Sequence, residues 1–235
     1  MMDWMVKVQP ISLIVGSLFG LMFMKLKMKS QGIPYERIMD AVTNGVFIIV
    51  LTWKFMPTIL NPGWAFQSPW QALLAVGSAQ HIIIGCLIAS GYVIWRRKKV
   101  NFSLFVLLDA LPFGIGSMII FYFLFHQHVG VSTTMPWGMK LYDSKFSYHP
   151  IYMYEIMIAI CIMGWLWIKN ERLGTRKYMS YFLIVEGIAH IFISLISEQV
   201  PLLFGLSMQQ ILIFAVISTG ILLLPKKNSN IHKLM

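Results

Sequence analysis

Seven apolar stretches divide the chain, at roughly 9 to 26, 39 to 60, 70 to 95, 102 to 125, 150 to 168, 178 to 197 and 205 to 225, with short polar or basic connections between them. About 20 apolar residues in helical form cross the ~30 Å hydrocarbon layer of a bilayer. Each stretch therefore predicts a membrane-crossing helix, which satisfies its own backbone donors and acceptors where no water can. The first is cut short by Lys25 and Lys27. It is read as a helix rather than a signal peptide, because Asp3 and Lys7 give no basic leading region and no small-residue cleavage site follows.

The basic residues give these helices a direction. Lys25, Lys27, Lys29 and Arg37 follow the first stretch, Arg96, Arg97, Lys98 and Lys99 the third, Lys169, Arg172, Arg176 and Lys177 the fifth, and Lys226, Lys227 and Lys233 the last. Lys7, Lys54, Lys140 and Lys145 lie in or beside the opposite connections. The side rich in Lys and Arg is the cytoplasmic one. The expectation is an all-α integral membrane protein with about seven transmembrane helices, N-terminus outside and C-terminus cytoplasmic, in a bacterial plasma membrane.

Composition agrees, since with 57% hydrophobic and 12% charged residues a soluble domain would lack the polar surface to cover itself. The net charge of +10 is a topology signal with added attraction to anionic headgroups, so a nucleic-acid partner is not expected. Cys86 and Cys161 lie inside apolar runs and read as small core residues rather than a disulfide. No Cys-x-x-Cys, phosphate-loop or dinucleotide glycine pattern occurs, so no cofactor is expected, and residues 1–235 read as one polytopic membrane domain. Gly16 and Gly20 form a small-x-x-x-small pair that lets a neighbouring helix approach. Pro112, Gly114 and Gly116 are expected to interrupt the fourth helix beside an interior site.

Ionisable groups inside a membrane cost at least ~2.5 kcal/mol each on insertion scales and so mark function by default. Here they are Asp40, Lys54, His81, Asp109, Glu155, Glu186 and His190, accompanied by Asn44, Gln80, Ser194, Gln209 and Gln210, most of them expected to face the bundle interior. Asp40 and Asp109 read as helix-packing hydrogen bonders. Glu186, His190 and Ser194 are four apart in series and line one stripe of the sixth helix. A carboxylate beside an imidazole can hold one tautomer or favour the charged ring, as a general base or phosphate-binding cation requires. The same pair could equally be a buried, mutually satisfied tie between helices. His126 and His128, with His149, offer too few donors for a closed metal site, so no metal is expected there.

The run from Tyr148 to Glu155, reading Tyr-His-Pro-Ile-Tyr-Met-Tyr-Glu, opens the fifth helix from the outer face, with Pro150 in a first-turn position. It resembles the His-Pro-x-x-x-Tyr-Glu element of the prolipoprotein diacylglyceryl transferase family. The resemblance extends over nearly the whole chain, through Asp109 to Gly116, the Pro136, Trp137, Gly138, Met139 segment, Phe182, Leu183 and Gly187 of the sixth helix, and Leu206, Ser207, Met208 and Gln210 opening the last.

That resemblance implies a transfer at the outer leaflet, in which the thiol of a lipobox cysteine in a prolipoprotein signal peptide attacks the glycerol carbon of phosphatidylglycerol or a related anionic phospholipid. Glycerol phosphate leaves, and a thioether-linked diacylglycerol remains. The implied catalytic residues are His81 or His190 as base and Glu186 as its orienter. Lys54 is the implied phosphate partner, with Tyr154, Glu155, Gln210 and His149 as polar groups binding substrate. The chain departs from the family pattern where cations are needed. His81 matches the family histidine only with one position deleted and lacks its glycine pair, and the run Ile119 to Gln127 holds none of the family's arginine, asparagine or glutamate. Glu186, His190 and Ser194 stand where the sixth helix of the family has Tyr, Arg and Glu, and Lys54 where the second has Arg. All five arginines fall on the cytoplasmic side. A silent relative that binds lipid or lipoprotein precursor is the alternative, and a small transporter using Asp40, Lys54, Asp109, Glu155 and Glu186 a further one.

Reporter fusions test the topology. Those after Lys29, Lys99, Arg176 and the C-terminus are expected to read cytoplasmic, and those near Gly63 and Asp143 external. An external C-terminus would overturn the seven-crossing arrangement.

Overall fold

The computed structural model describes residues 3–141 and 145–225, with side chains from residue 12 onward. Asp143, Lys226, Lys227 and Lys233 lie outside the described residues, as do the side chains of Asp3 and Lys7. Among the described residues each apolar stretch contains a long helix. These are α1 (Asp3–Ser30), α2 (Glu36–Leu60), α5 (Ala79–Val100), α6 (Leu104–Phe125), α7 (Ile151–Ile168), α8 (Lys177–Ser194) and α9 (Met208–Leu223), with two short helices, α3 (Pro62–Gln67) and α4 (Pro69–Leu74), between the second and third. Four of them, α2, α5, α6 and α7, are long and apolar enough to cross a membrane; α9 is apolar but has 16 residues.

Two boundaries differ from expectation. The third stretch is not one helix from 70, because α4 ends at Leu74 and α5 begins only at Ala79, where the Ser78 backbone N–H and the His81 ring close a capping box. The sixth ends at Ser194. Helices do not account for everything either: β1 (Ser132–Thr133), β2 (Met139–Lys140) and β3 (Ser147–Tyr148) form an antiparallel sheet in the order β1-β3-β2, and β4 (Pro201–Leu203) pairs with β5 (Leu206–Ser207).

Helices α1 and α6 pack together, α2 packs on α5, α8 on α9, and α6 also on α7. Gly20 and Gly114 make the first contact possible, since a Cβ at Gly20 would lie 2.8 Å from the Gly114 carbonyl oxygen. Gly116 admits the Met163 sulfur of α7 in the same way. The glycines of α6 therefore serve close packing, and the expected interruption does not occur: α6 runs unbroken through Pro112. Large apolar side chains stay exposed along the helices, among them Leu18, Phe47, Leu87, Trp165, Phe192 and Leu222, as a surface facing lipid rather than water requires. Cys86 and Cys161 are free thiols on exposed positions, not core residues. Asp40 and Asn44 are exposed as well, not interior.

The tightest packing lies at the end of the bundle where α1 finishes and α8 begins. Met24, Met28, Ile38, Phe113, Leu166, Leu173, Tyr178 and Phe182 are buried together there. Asp109, fully buried on α6, accepts hydrogen bonds from the backbone N–H groups of Gly174 (2.9 Å), Arg176 (2.7 Å) and Met179 (3.2 Å). The helix-capping residue Arg176 supplies no side-chain cap of its own, so the carboxylate of another helix takes that part, with the favourable sign for a helix N-terminus. This is the packing role expected of Asp109, and it removes Asp109 from any polar path. Beside it, the Lys27 ammonium is buried among the rings of Tyr178 (4.8 Å), Phe113 (5.3 Å) and Trp167 (5.4 Å) and donates to the Trp167 carbonyl at 3.1 Å. It thus caps the end of α7 from within an aromatic cage.

Asp109→Ala leaves three backbone donors without their acceptor, each worth about 1–3 kcal/mol when buried. It is expected to lower the thermal unfolding midpoint in detergent by several degrees, with Asp109→Asn in between, while Asp40→Ala at an exposed position changes it little. Equal effects of Asp109→Ala and Asp40→Ala would show that the clamp contributes nothing.

Candidate functional site

At the opposite end of α7 the chain enters the helix through Pro150, which acts as the N-cap rather than the first helical residue. The entry is fixed by backbone bonds from Gly130 to the His149 carbonyl (2.8 Å) and from His149 to the Val131 carbonyl (3.1 Å). The small sheet of β1, β2 and β3 lies against it, with the Tyr152 hydroxyl on the Met139 sulfur. Tyr154 projects from the first turn, and its hydroxyl accepts a 2.7 Å bond from the Trp137 indole N–H and lies 3.1 Å from His149 Nδ1. Three aromatic residues, two from the connection and one from the helix, are thereby tied over the helix entry.

One residue further on, Glu155 is turned into the bundle and buried. Its Oε2 lies 3.2 Å from His190 Nδ1 of α8, within ion-pair range but not aligned as a hydrogen bond. Glu186, one turn before His190, is 7% exposed, and neither of its carboxylate oxygens has a hydrogen-bond partner among the described residues. One ligand atom from each of Glu155, Glu186 and His190 lies within 4.8 Å of the others. The expected stripe on α8 thus exists, but its imidazole pairs across to Glu155 on α7 instead of with Glu186 on its own helix. Helix α9 closes the far side, where Gly187 gives room to Ile217, whose Cγ1 would sit 2.5 Å from a Cβ there.

The third member of the stripe, Ser194, has a different partner. It is buried, donates to the Ile191 carbonyl (2.7 Å) and accepts from Gln210 Nε2 (3.1 Å). Gln210 Oε1 in turn accepts from the Ser207 N–H, and the Ser207 hydroxyl accepts from the Gln210 N–H, forming a capping box at the start of α9. Gln210 is therefore engaged in tying α9 to α8 rather than standing as an unattached cavity group.

Lys54 and His81 stand apart from this cluster. Lys54 Nζ donates to the Leu73 carbonyl (2.5 Å) and the Ala75 carbonyl (2.8 Å), and Trp53 Nε1 donates to the Gly77 carbonyl (2.6 Å). His81 Nδ1 accepts from the Ser78 N–H at 2.9 Å. All three side chains of this group hold the connection from α4 to α5. Of the eight residues singled out in the sequence, the structure brings Glu155, Glu186 and His190 together, places Tyr154 and His149 directly above at the helix entry, ties Gln210 to Ser194, and sets Lys54 and His81 elsewhere. Reasoning from sequence did not count Trp137 as a site residue, although its segment was already part of the resemblance.

Between α7 and α8 runs an apolar groove of about 410 Å³, lined by Tyr154, Met157, Ile158, Ala189, Phe192, Ile193 and Ile196. Tyr154 and Ala189 are the sequence neighbours of Glu155 and His190, so polar cluster and apolar groove lie on adjoining faces of the same two helices. Glu155, Glu186 and His190 are also the one group of three or more possible metal ligands among the described residues. The histidines of the connection from α6 to α7 do not form another: His126 stacks on Tyr122 at 4.0 Å and bonds the Tyr122 carbonyl.

Two curated relatives are each 29% identical over 168 residues, covering 63% of this chain and 61% of theirs. Both are the phosphatidylglycerol--prolipoprotein diacylglyceryl transferase of Tropheryma whipplei, from strains Twist and TW08/27. The chain thus matches somewhat under two thirds of the length of these relatives. Against protein families, residues 3–225 match prolipoprotein diacylglyceryl transferase. With nearly every described residue inside that match, the chain belongs to the prolipoprotein diacylglyceryl transferase family.

Proposed function

We propose that this protein transfers a diacylglyceryl group from phosphatidylglycerol, or a related anionic phospholipid, to the lipobox cysteine of a prolipoprotein signal peptide. In this reading residues 1–235 form one membrane domain crossing a bacterial plasma membrane seven times, with the N-terminus outside. Family membership and the names of the relatives support the reaction. The observation that carries the site is the contact between Glu155 and His190 beside an apolar groove and beneath the tie of Trp137, Tyr154 and His149.

The reaction needs a proton acceptor for the thiol, a lipid-accessible cavity and support for the departing phosphate. His190 takes the thiol proton while Glu155 fixes the ring and offsets its charge. Sulfur then bonds the glycerol carbon, and the carbon–oxygen bond breaks with its electron pair going to glycerol phosphate. Glu186 lines the same cluster, an acyl chain lies in the groove, and Tyr154, His149 and Gln210 border the headgroup. His81 remains the rival base, and Lys54 the rival phosphate partner, from their separate group on α2 and α5.

One observation favours the second reading, a lipid-binding relative without turnover. The Lys54 ammonium is shared between two backbone carbonyls, and the arginines are confined to the connections rich in basic residues. A leaving phosphate would then find little positive charge at the outer leaflet.

Purified protein supplied with phosphatidylglycerol and a lipobox peptide is expected to release glycerol phosphate and yield the thioether peptide. Glu155→Gln and His190→Gln should each lower turnover by about 10²-fold or more, the range for loss of a general base, with the double variant no worse than the poorer single. Additive losses would mean that the two do not act as a unit. Turnover lost in His81→Ala and kept in His190→Ala would move the base to α5. Saturable phosphatidylglycerol binding with no product would favour the silent relative.

Lys54→Ala is expected to act through stability. It removes the donor shared by the Leu73 and Ala75 carbonyls, so the unfolding midpoint should fall while the Michaelis constant for phosphatidylglycerol changes little. A raised Michaelis constant at unchanged stability would instead place Lys54 at the headgroup.

A further inference from the structure

We propose that Glu155, Glu186 and His190 form a binding site for a single first-row divalent metal ion, with Zn2+ the best fit to the donors. The site is built from two helices: Glu155 on α7 faces Glu186 and His190, one turn apart on α8. One donor atom of each lies within 4.8 Å of the others. The closest pair, Glu155 Oε2 and His190 Nδ1, is 3.2 Å apart, close to the ~3.3 Å edge of a tetrahedron with metal–ligand bonds of about 2.0–2.1 Å. Glu186 reaches the same geometry by a side-chain adjustment of up to about 1.5 Å, the difference between 4.8 Å and the tetrahedral edge.

The second observation is the state of the donors. Both oxygens of Glu186, Oε2 of Glu155 and Nδ1 of His190 are buried and lack a hydrogen-bond partner among the described residues. Glu186 is more than nine-tenths buried and directed at the other two. Buried polar groups are nearly always satisfied, so a cluster of four such atoms at one point needs an explanation. Lysine or arginine would supply it, but Glu186 has no such partner: among the described residues the lysine–acid ion pair is Lys177 with Glu171, at the other end of α8. Two carboxylates and a neutral imidazole match the +2 charge of one ion and supply one nitrogen and two oxygen donors, a set that suits Zn2+ or Mn2+ better than the all-oxygen shell of Mg2+ or Ca2+.

Three protein ligands leave a fourth position open, as in metal sites that act on a substrate. A thiol at that position is held as the thiolate, its proton leaving to the external water. In the loaded protein the metal-held thiolate replaces the base role given to His190 above; the thiol and this replacement rest on the transfer reading, whereas the metal site itself does not.

The test uses the full chain in detergent, stripped with chelator, free of lipid and peptide, and carrying Cys86→Ser and Cys161→Ser so that exposed thiols cannot bind the probe. Titration with zinc chloride is expected to show one equivalent bound. Glu186→Gln and His190→Gln, each checked for retained monodispersity, should weaken binding at least tenfold. Binding that is absent, or unchanged in both variants, overturns the site. Should the variants fail to fold, cobalt chloride added to the Cys-free protein decides: visible bands of tetrahedral intensity without sulfur charge transfer support the site, and weak octahedral bands or none reject it. Since no substrate is present, either result leaves the transfer reading to its own assay.

Discussion

The Asp109 carboxylate is the interaction on which the arrangement of the last three helices depends. Helix α8 starts at a residue with positive φ, Arg176 at 67°, directly after a tight connection whose N–H groups face inward. A buried helix start without acceptors is costly, and Asp109 supplies one carboxylate to three of them. Because the contact includes Met179, inside the first turn, it fixes the rotation of α8 as well as its position. Glu186 lies about two turns further along, and its direction toward α7 follows from that rotation.

The same logic explains the division of the molecule into a tightly packed end and a polar end. Lys27 and Asp109 are satisfied by backbone, aromatic faces and caps, and they lie within the buried apolar cluster of Met28, Phe113 and Tyr178. Glu155 and Glu186 are buried and His190 half-buried, but their converging polar atoms lack that satisfaction. A fold under selection for stability alone would replace such a group by apolar residues at little loss. Its presence beside an open apolar groove is what a site for a ligand looks like in physical terms.

Much of the helical framework was legible in the sequence, because apolar length and basic flanks are one-dimensional signals. A close approach on α1 was legible too, through Gly16 and Gly20, but not that the neighbour is α6. Other features were not, and each for a definite reason. Gly114 and Gly116 read as breaks, since sequence shows the loss of helix propensity and not the Gly20 backbone and Met163 sulfur that fill the space. The start of α5 was missed because the short polar interval Gly77 to His81, which caps it, lies between two apolar segments that read together as one crossing. In the site, residues four apart on α8 were visible as a stripe, but the pairing of His190 with Glu155 spans two helices and has no signature in either. Lys54 and His81 looked like site residues because charge in an apolar context is conspicuous, whereas the carbonyls and N–H that occupy them are invisible in a sequence.

These contacts bear on the chain's arginines, all of which lie in or beside the connections rich in basic residues. A guanidinium brings its own charge and a fixed fork of donors; an imidazole brings charge only when protonated, and its neighbour decides whether it is. At residue 190 the chain holds an imidazole against Glu155, and at residue 186 it adds a second carboxylate. Together they make a place whose donors converge on a point. In the proposed transfer, phosphate support there would come from a bound cation or from protonation, so the chemistry would follow the occupancy of the cluster more than any single side chain.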